Sequence, residues 1–314
     1  MKYIIDETSW NFDGLPILEL NRRLEEILDV IVAFNSMSDN VFNSSNLYSR
    51  CVKIQETIYD LFNVEKPIHI EPEVRQRFNA AVSRLKHIED ELGWTKNDDD
   101  FFIDGGNVGP APSLSHALST ANAGFEDNFG CLCQSNRRPR GRVNVAHLDR
   151  VGELYFICSQ SDASLYYRWL ALKKSQKIAD LEKLCPYAFP DLDFVDNVLS
   201  GIKTMSKDFR EICPDIVRHL SVLNDHGAHI FRGDWQKAPQ EFGSRGIDIS
   251  DENGNTKRNR AAKQARERTF GGVKYSFWWH TKIEAHTDRI HICQDRISEG
   301  GKIIIGVMCA HLPT

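Results

Sequence analysis

The C-terminal stretch constrains the fold most. From Lys274 the chain runs KYSFWWHTKIEAHTDRIHIC, then a short polar turn, then GGKIIIGVMCAHLPT. Apolar and polar residues alternate with period two, as a half-buried β-strand requires. The pattern predicts strands over 274–283, 289–294 and 302–309, joined at Thr287-Asp288 and at Ser298-Glu299-Gly300-Gly301 as an antiparallel meander. Phe277, Trp279 and Ile283 fall on one face of the first strand, and Trp278, His280 and Lys282 on the other. In the second strand Ile290 and Ile292 oppose Arg289 and His291. The third strand is apolar on both faces, as an interior strand is.

If the apolar faces align, one sheet surface presents His280, Lys282, Arg289 and His291 beside Trp278. Two imidazoles move protons near neutral pH, and Lys and Arg steady a phosphorane-like transition state. Trp278 offers a stacking plane for a base. RNA cleavage through the ribose 2′-hydroxyl needs no metal, so the expectation carries no cofactor. Glu284 and Asp288, at the strand end, are candidates to orient a histidine; His286 and His311 lie near a turn and the terminus. Two other uses of the same residues stay open: a metal held by His280 and His291 across neighbouring strands, and an ordinary solvent-facing side of an amphipathic sheet.

Charge is unevenly spread. The formal net charge is −5 over the 314 residues, but residues 1–100 carry −8, 101–235 carry −1 and 236–314 carry +4. Such asymmetry marks the C-terminal part as electrostatically specialised. Lys257, Arg258, Arg260, Lys263, Arg266 and Arg268 cluster around the single acid Glu267, with alanines at 261, 262 and 265 that suit a short basic helix. A run of this kind favours phosphate contact, or it is a solvated loop.

The rest of the chain reads as three further segments. Residues 1–96 carry apolar stripes at helical spacing, Ile17 to Ile31, Leu47 to Leu61 and Val74 to Leu92, and read as an acidic helical domain suited to a protein partner. Residues 97–130, rich in Gly, Pro and Asp, read as a linker. Residues 131–235 mix strands (RVNV, ELYFIC) with helices, one opened by Pro214 and ended at Gly227. Asp225, His226 and His229 gather at that helix end, as metal ligands or as imidazoles favoured by the helix dipole. Residues 236–314 hold the basic loop and the sheet. The fold class expected is therefore α+β, with a helical front, a mixed middle and a C-terminal antiparallel sheet.

Eight cysteines include the pair Cys131/Cys133 but no C-x-x-C, so neither a zinc ribbon nor a disulfide framework is indicated. No apolar run reaches the ~18–20 residues of a membrane helix, and MKYIIDETSW turns acidic at Asp6 without a signal-peptide core. The expectation is a cytoplasmic protein that does not engage a membrane.

RIHI (Arg289 to Ile292), IIIG (Ile303 to Gly306) and AHL (Ala310 to Leu312) resemble the C-terminal half of RelE/ParE-type toxins. The resemblance covers about 45 residues. It implies a small antiparallel sheet that cleaves RNA with basic residues, Arg289 and Lys282 being the charge-stabilising positions and His311 a tail position that is catalytic in some members. The chain departs from that family in its length and in the Gly-rich basic stretch that stands where a helical hairpin is usual. The whole layout also looks like bacterial defence- or toxin-associated proteins with a helical front. Two functions follow: an RNA- or phosphate-engaging, toxin-like protein acting as a metal-independent ribonuclease, or a non-enzymatic interaction protein that docks on nucleic acid through its basic segment.

Overall fold

The computed structural model describes residues 1–38, 40–66, 69–94, 99–122, 124–284 and 287–313; His286 and Asp98 lie outside them. The fold is α+β. The chain forms two compact units, Met1–Tyr166 and Tyr167–Thr314, dividing once rather than at the composition boundaries near 96, 130 and 235.

The N-terminal unit is built on an eight-stranded sheet. Its elements include β1 (Lys2–Ile5), α1 (Ile17–Ser38), β2 (Val41–Asn43), α2 (Pro72–Ala81), β3 (Lys86–His87), β4 (Asp100–Ile103), β5 (Gly106–Pro110), α3 (Pro112–Thr120), β6 (Phe129–Leu132), β7 (Gly141–His147) and β8 (Arg150–Ile157). The strand order is β3-β2-β1-β6-β8-β7-β4-β5. The first five are mutually parallel and the last three run antiparallel. α1 carries the expected stripe: Leu20, Leu24, Ile27, Leu28 and Ile31 are buried. α3 buries Leu114, Ala117 and Leu118 with Ile4, Cys131, Val143 and Phe156.

Two expectations for this region are corrected. The first hundred residues are not purely helical, because β1, β2 and β3 pair with one another and β1 pairs with β6. The stripe Leu47–Leu61 breaks into two short helices around a small hairpin, where Gln55 takes a positive φ of 60°. The linker expected over 97–130 is corrected too, from its described residues, 99–122 and 124–130. Asp104 (φ 47°) and Gly105 (φ 80°) turn the β4–β5 hairpin, the positive φ pair that tight hairpins require, and α3 is almost wholly buried.

The C-terminal unit contains α4 (Ile178–Ala188), β9 (Leu192–Phe194), α5 (Phe209–Val222), α6 (Ala228–Arg232), α7 (Ala238–Gly243), β10 (Asp248–Asp251), α8 (Gly254–Arg258), α9 (Arg260–Ala265), β11 (Glu267–Phe270), β12 (Val273–Ser276), β13 (Trp279–Lys282), β14 (Arg289–Cys293) and β15 (Ile303–Cys309). Five strands form one sheet in the order β9-β15-β14-β13-β10, antiparallel except for β9 on β15. The meander is therefore present and β15 is interior. The first expected strand is interrupted at Phe277-Trp278, and its early half pairs with β11 as a separate hairpin. One sheet face is apolar: Trp279 meets Phe231 at 5.2 Å between ring centres, and Ile290 and Ile292 are fully buried.

Pro214 lies inside α5, which begins at Phe209. Gly227 does not end the helix; Leu223–Gly227 form a π-turn that continues into α6. A side chain at Gly227 would overlap Ile303 Cδ1, so the residue is needed for close approach rather than for termination.

The bulge in β15 sets a further packing constraint. His291 pairs with Val307 and Ile292 with Ile305, leaving Gly306 as the extra residue. Its missing Cβ makes room for the Phe277 ring, since a methyl there would overlap Cδ1, Cε1 and Cγ. Gly306→Ala is expected to cost about 1–3 kcal/mol, read as a lower denaturant midpoint with an unchanged slope.

Among the described residues no helix is long and apolar enough to cross a membrane.

Candidate functional site

The polar face of the C-terminal sheet assembles in two cross-strand rows. Asp248, Lys282, Arg289 and Cys309 are successive register partners across β10, β13, β14 and β15. Ser250, His280, His291 and Val307 form the next row. The four residues singled out from sequence alternation, His280, Lys282, Arg289 and His291, thus share one face, with the imidazole centres 5.1 Å apart.

The face is covered rather than open. His291, Arg289 and His280 are buried, 1%, 6% and 8% exposed, and only Lys282 is partly accessible, on an ion pair of 3.0 Å with Asp248. The cover comes from the segment after β10. Arg266, 1% exposed, donates Nε and Nη2 to Glu252 Oε1 at 3.0 and 2.8 Å, and Nη1 to the Ala262 and Pro313 carbonyls at 3.1 and 2.7 Å. Glu252 Oε1 also lies 3.5 Å from His280 Nδ1.

These contacts fix the imidazoles. His291 Nδ1 sits 3.3 Å from the Phe277 carbonyl, which only an N–H can satisfy, so the lone pair is on Nε2. His280 Nε2 shares a hydrogen bond of 3.2 Å with Ser250 Oγ. His280 Nδ1 and His291 Nε2 have no hydrogen-bond partner. Burial depresses the pKa of both rings: the effect opposes Glu252 at His280, and at His291 it is reinforced by His280 and Arg266. Both are neutral bases at pH 7. Among the described residues, Glu252, His280 and His291 also form the one group whose ligand atoms come together as a metal site would need, within 4.8 Å.

The remaining candidates divide by exposure. Arg289 is spent on the backbone, Nη1 donating to the Glu284 and Asp288 carbonyls at 2.6 and 3.1 Å. Glu284 pairs with Lys207, and Asp288 accepts from Ser206, so neither orients a histidine. Arg266 and Arg268 are turned inward, Arg268 onto the Ala265 and Glu267 carbonyls. Lys257 pairs with Asp251 at 2.6 Å and lies 5.9 Å from the half-buried Trp278 ring. Arg258 and Arg260 are exposed and carry no ion pair among the described residues; Lys263, also exposed, is 3.8 Å from Glu267. The basic run is therefore two short helices, α8 and α9, which present Arg258, Arg260 and Lys263 to solvent. His311 is exposed in the tail.

Asp225, His226 and His229 do not converge on a site. Asp225 receives Arg168 Nη1 and Nη2, both at 2.7 Å, and the two histidines are exposed.

Sequence reasoning missed Asp248 and Ser250, which complete the rows, and Glu252 just beyond the strand. The signal was present in GIDISDE, where Ile247 and Ile249 alternate with the polar residues Asp248 and Ser250. The surrounding Gly and Asn made it read as loop.

Comparison with protein-family models, with curated proteins and with solved structures finds no match.

Proposed function

We propose that the C-terminal unit binds RNA through phosphate contacts and cleaves it without a metal. The observation that carries this reading is the in-register pairing of His280 with His291 and of Lys282 with Arg289, beside an exposed basic edge. Arg258, Arg260 and Lys263 supply the phosphate contacts, and Trp278 a plane against which a base stacks. His280, whose Nε2 meets Ser250 Oγ at 3.2 Å, takes the proton of the ribose 2′-hydroxyl through that half-buried hydroxyl as the ribose oxygen bonds to phosphorus. The bond from phosphorus to the leaving 5′-oxygen breaks, and that oxygen takes a proton from water. Lys282 steadies the charge on the non-bridging oxygens. His291 and Arg266, too buried to meet substrate, act as positioning residues: His291 backs His280, and Arg266 holds Glu252 beside it. The RelE/ParE-type resemblance and a toxin- or defence-type role belong to this proposal. So does a reducing, cytoplasmic setting, suggested by eight free thiols.

The motivating charge distribution gives a direct test. Affinity for single-stranded RNA should fall linearly with the logarithm of salt concentration, and Arg258→Ser with Arg260→Ser should reduce that slope by roughly 0.7 per lost contact. Binding that is absent or independent of salt would refute the proposal; binding without cleavage would leave the docking module.

The clustering of Glu252, His280 and His291 ligand atoms within 4.8 Å favours a second reading, a divalent metal site. Arg266 weakens it, because a buried guanidinium already holds Glu252 Oε1. Stoichiometric zinc in purified protein, lost in His280→Ala, would install the metal reading in place of the first.

A further inference from the structure

The N-terminal unit holds a cavity separate from the sheet face just described. Its parallel strands leave β1 in two directions: α1 leads to β2 on one side, and the chain returns later to place β6 on the other. The carboxyl ends of β1, β6 and β8 thus border the topological switch point, where open parallel sheets bind ligands. A cavity of about 340 Å³ lies at this edge. The α1 residues Ile27, Glu26 and Asp29 line one wall, and Cys133, Gln134 and Cys158 another.

Gln134 makes this cavity informative. It is 3% exposed, it lines the cavity, and neither Oε1 nor Nε2 has a hydrogen-bond partner. Its backbone N–H is satisfied by Ser9 Oγ at 3.2 Å, so the loop is held while the side-chain amide is left over. Each unmade hydrogen bond of a buried polar atom costs about 1–3 kcal/mol, an expense that a ligand with a donor and an acceptor side by side removes. Asp6, the neighbouring acid, is not available to such a ligand. Its oxygens already accept from Thr8, Ser9 and Arg138.

The lining defines the class of ligand. An amide offering one donor and one acceptor matches the edge of a nucleobase, as the bidentate pairing of glutamine with adenine does. Ile27 and Val30 give apolar wall for a flat ring. Glu26 accepts from Arg22 and Arg23, and Asp29 Oδ1 from Arg77, so these carboxylates offer sugar hydroxyls only their remaining lone pairs. Arg23 pairs with Glu26 at 3.0 Å and Arg140 with Asp162 at 3.4 Å, so the lining does not demand a phosphate. The volume falls in the range of small-ligand pockets. We propose that this cavity is a nucleoside-binding site in which Gln134 reads the base edge.

Cys158 provides a local reporter. It lines the cavity, with its Sγ 3.3 Å from Cys133 Sγ, and that hydrogen bond lowers the pKa of the Cys158 thiol. Adenosine, titrated against the full chain by calorimetry, should bind and should slow alkylation of Cys158 as read by peptide mass. Gln134→Leu should weaken binding about tenfold or more. Gln160→Trp, at an exposed position of the rim, should block binding without altering the unfolding midpoint. The second variant keeps the test decisive if the first does not fold. No heat with adenosine at concentrations up to about 1 mM would overturn the proposal. So would equal binding by ribose alone, or binding that leaves Cys158 alkylation unchanged. None of these outcomes depends on whether the C-terminal unit acts on RNA.

Discussion

Arg266→Ala is expected to destabilise the C-terminal unit by about 3–5 kcal/mol, because it leaves Glu252 buried without its counter-charge. The Arg266 and Glu252 side chains are only 2% and 9% exposed, and two of the guanidinium nitrogens meet one carboxylate oxygen. The loss also frees the Ala262 and Pro313 carbonyls, so the C-terminal tail should become protease-sensitive. The double variant Arg266→Met, Glu252→Gln should recover most of the stability, since removing both charges also removes the cost of burying them. Urea denaturation of the three proteins measures this. A single variant as stable as the parent would mean that the pair is solvated.

A second large effect is expected in the N-terminal unit. Glu7 is fully buried, Oε1 accepting from the Ser113 N–H at 3.0 Å while Oε2 has no partner. Burial raises its pKa from 4.5 to about 7, with Asp6 adding to the rise and the Ser113 hydrogen bond opposing it. The folded state favours the protonated acid, so stability is fully present below the unfolded pKa and is lost as pH rises through 7. The loss amounts to roughly 3 kcal/mol. Glu7→Gln should therefore stabilise the unit at about pH 8 and give no gain at about pH 4. The C-terminal unit has the opposite dependence. His219, 1% exposed, is lowered to about 4 by burial, so this unit loses stability as pH falls from 6.5 toward 4. Hydrogen exchange resolved by unit at the two ends of the pH range separates the two signs.

The strand meander was legible because alternation is a local property. Trp279, Ile290 and Ile292 point one way and His280, Arg289 and His291 the other, whatever lies beyond. What alternation does not reveal is whether a polar face meets water. That depended on Arg266 and Glu252, whose approach arises from the path of the chain between β10 and β13. The N-terminal sheet was hidden for a related reason. β1, β2 and β3 contain only two to four residues each, too few to establish a period against the long stripe of α1. The Gly- and Asp-rich segment around Asp104 and Gly105 read as linker, when its composition reflects the positive φ angles of a hairpin turn.

Burial also changes what the histidines do. A solvent-facing pair would share protons near pH 6.5, whereas His280 and His291 are held neutral and offer lone pairs. Proton abstraction by His280 then predicts a rate that falls in acid, through an apparent pKa below 6.5.

Cleavage of single-stranded RNA by the purified chain in excess chelator, followed against pH for the parent and for His280→Ala, tests the central claim most directly. Metal-independent cleavage with an acid limb below pH 6.5, abolished in the variant, is the result expected. Cleavage that disappears with chelator, or that persists unchanged in His280→Ala, would contradict it.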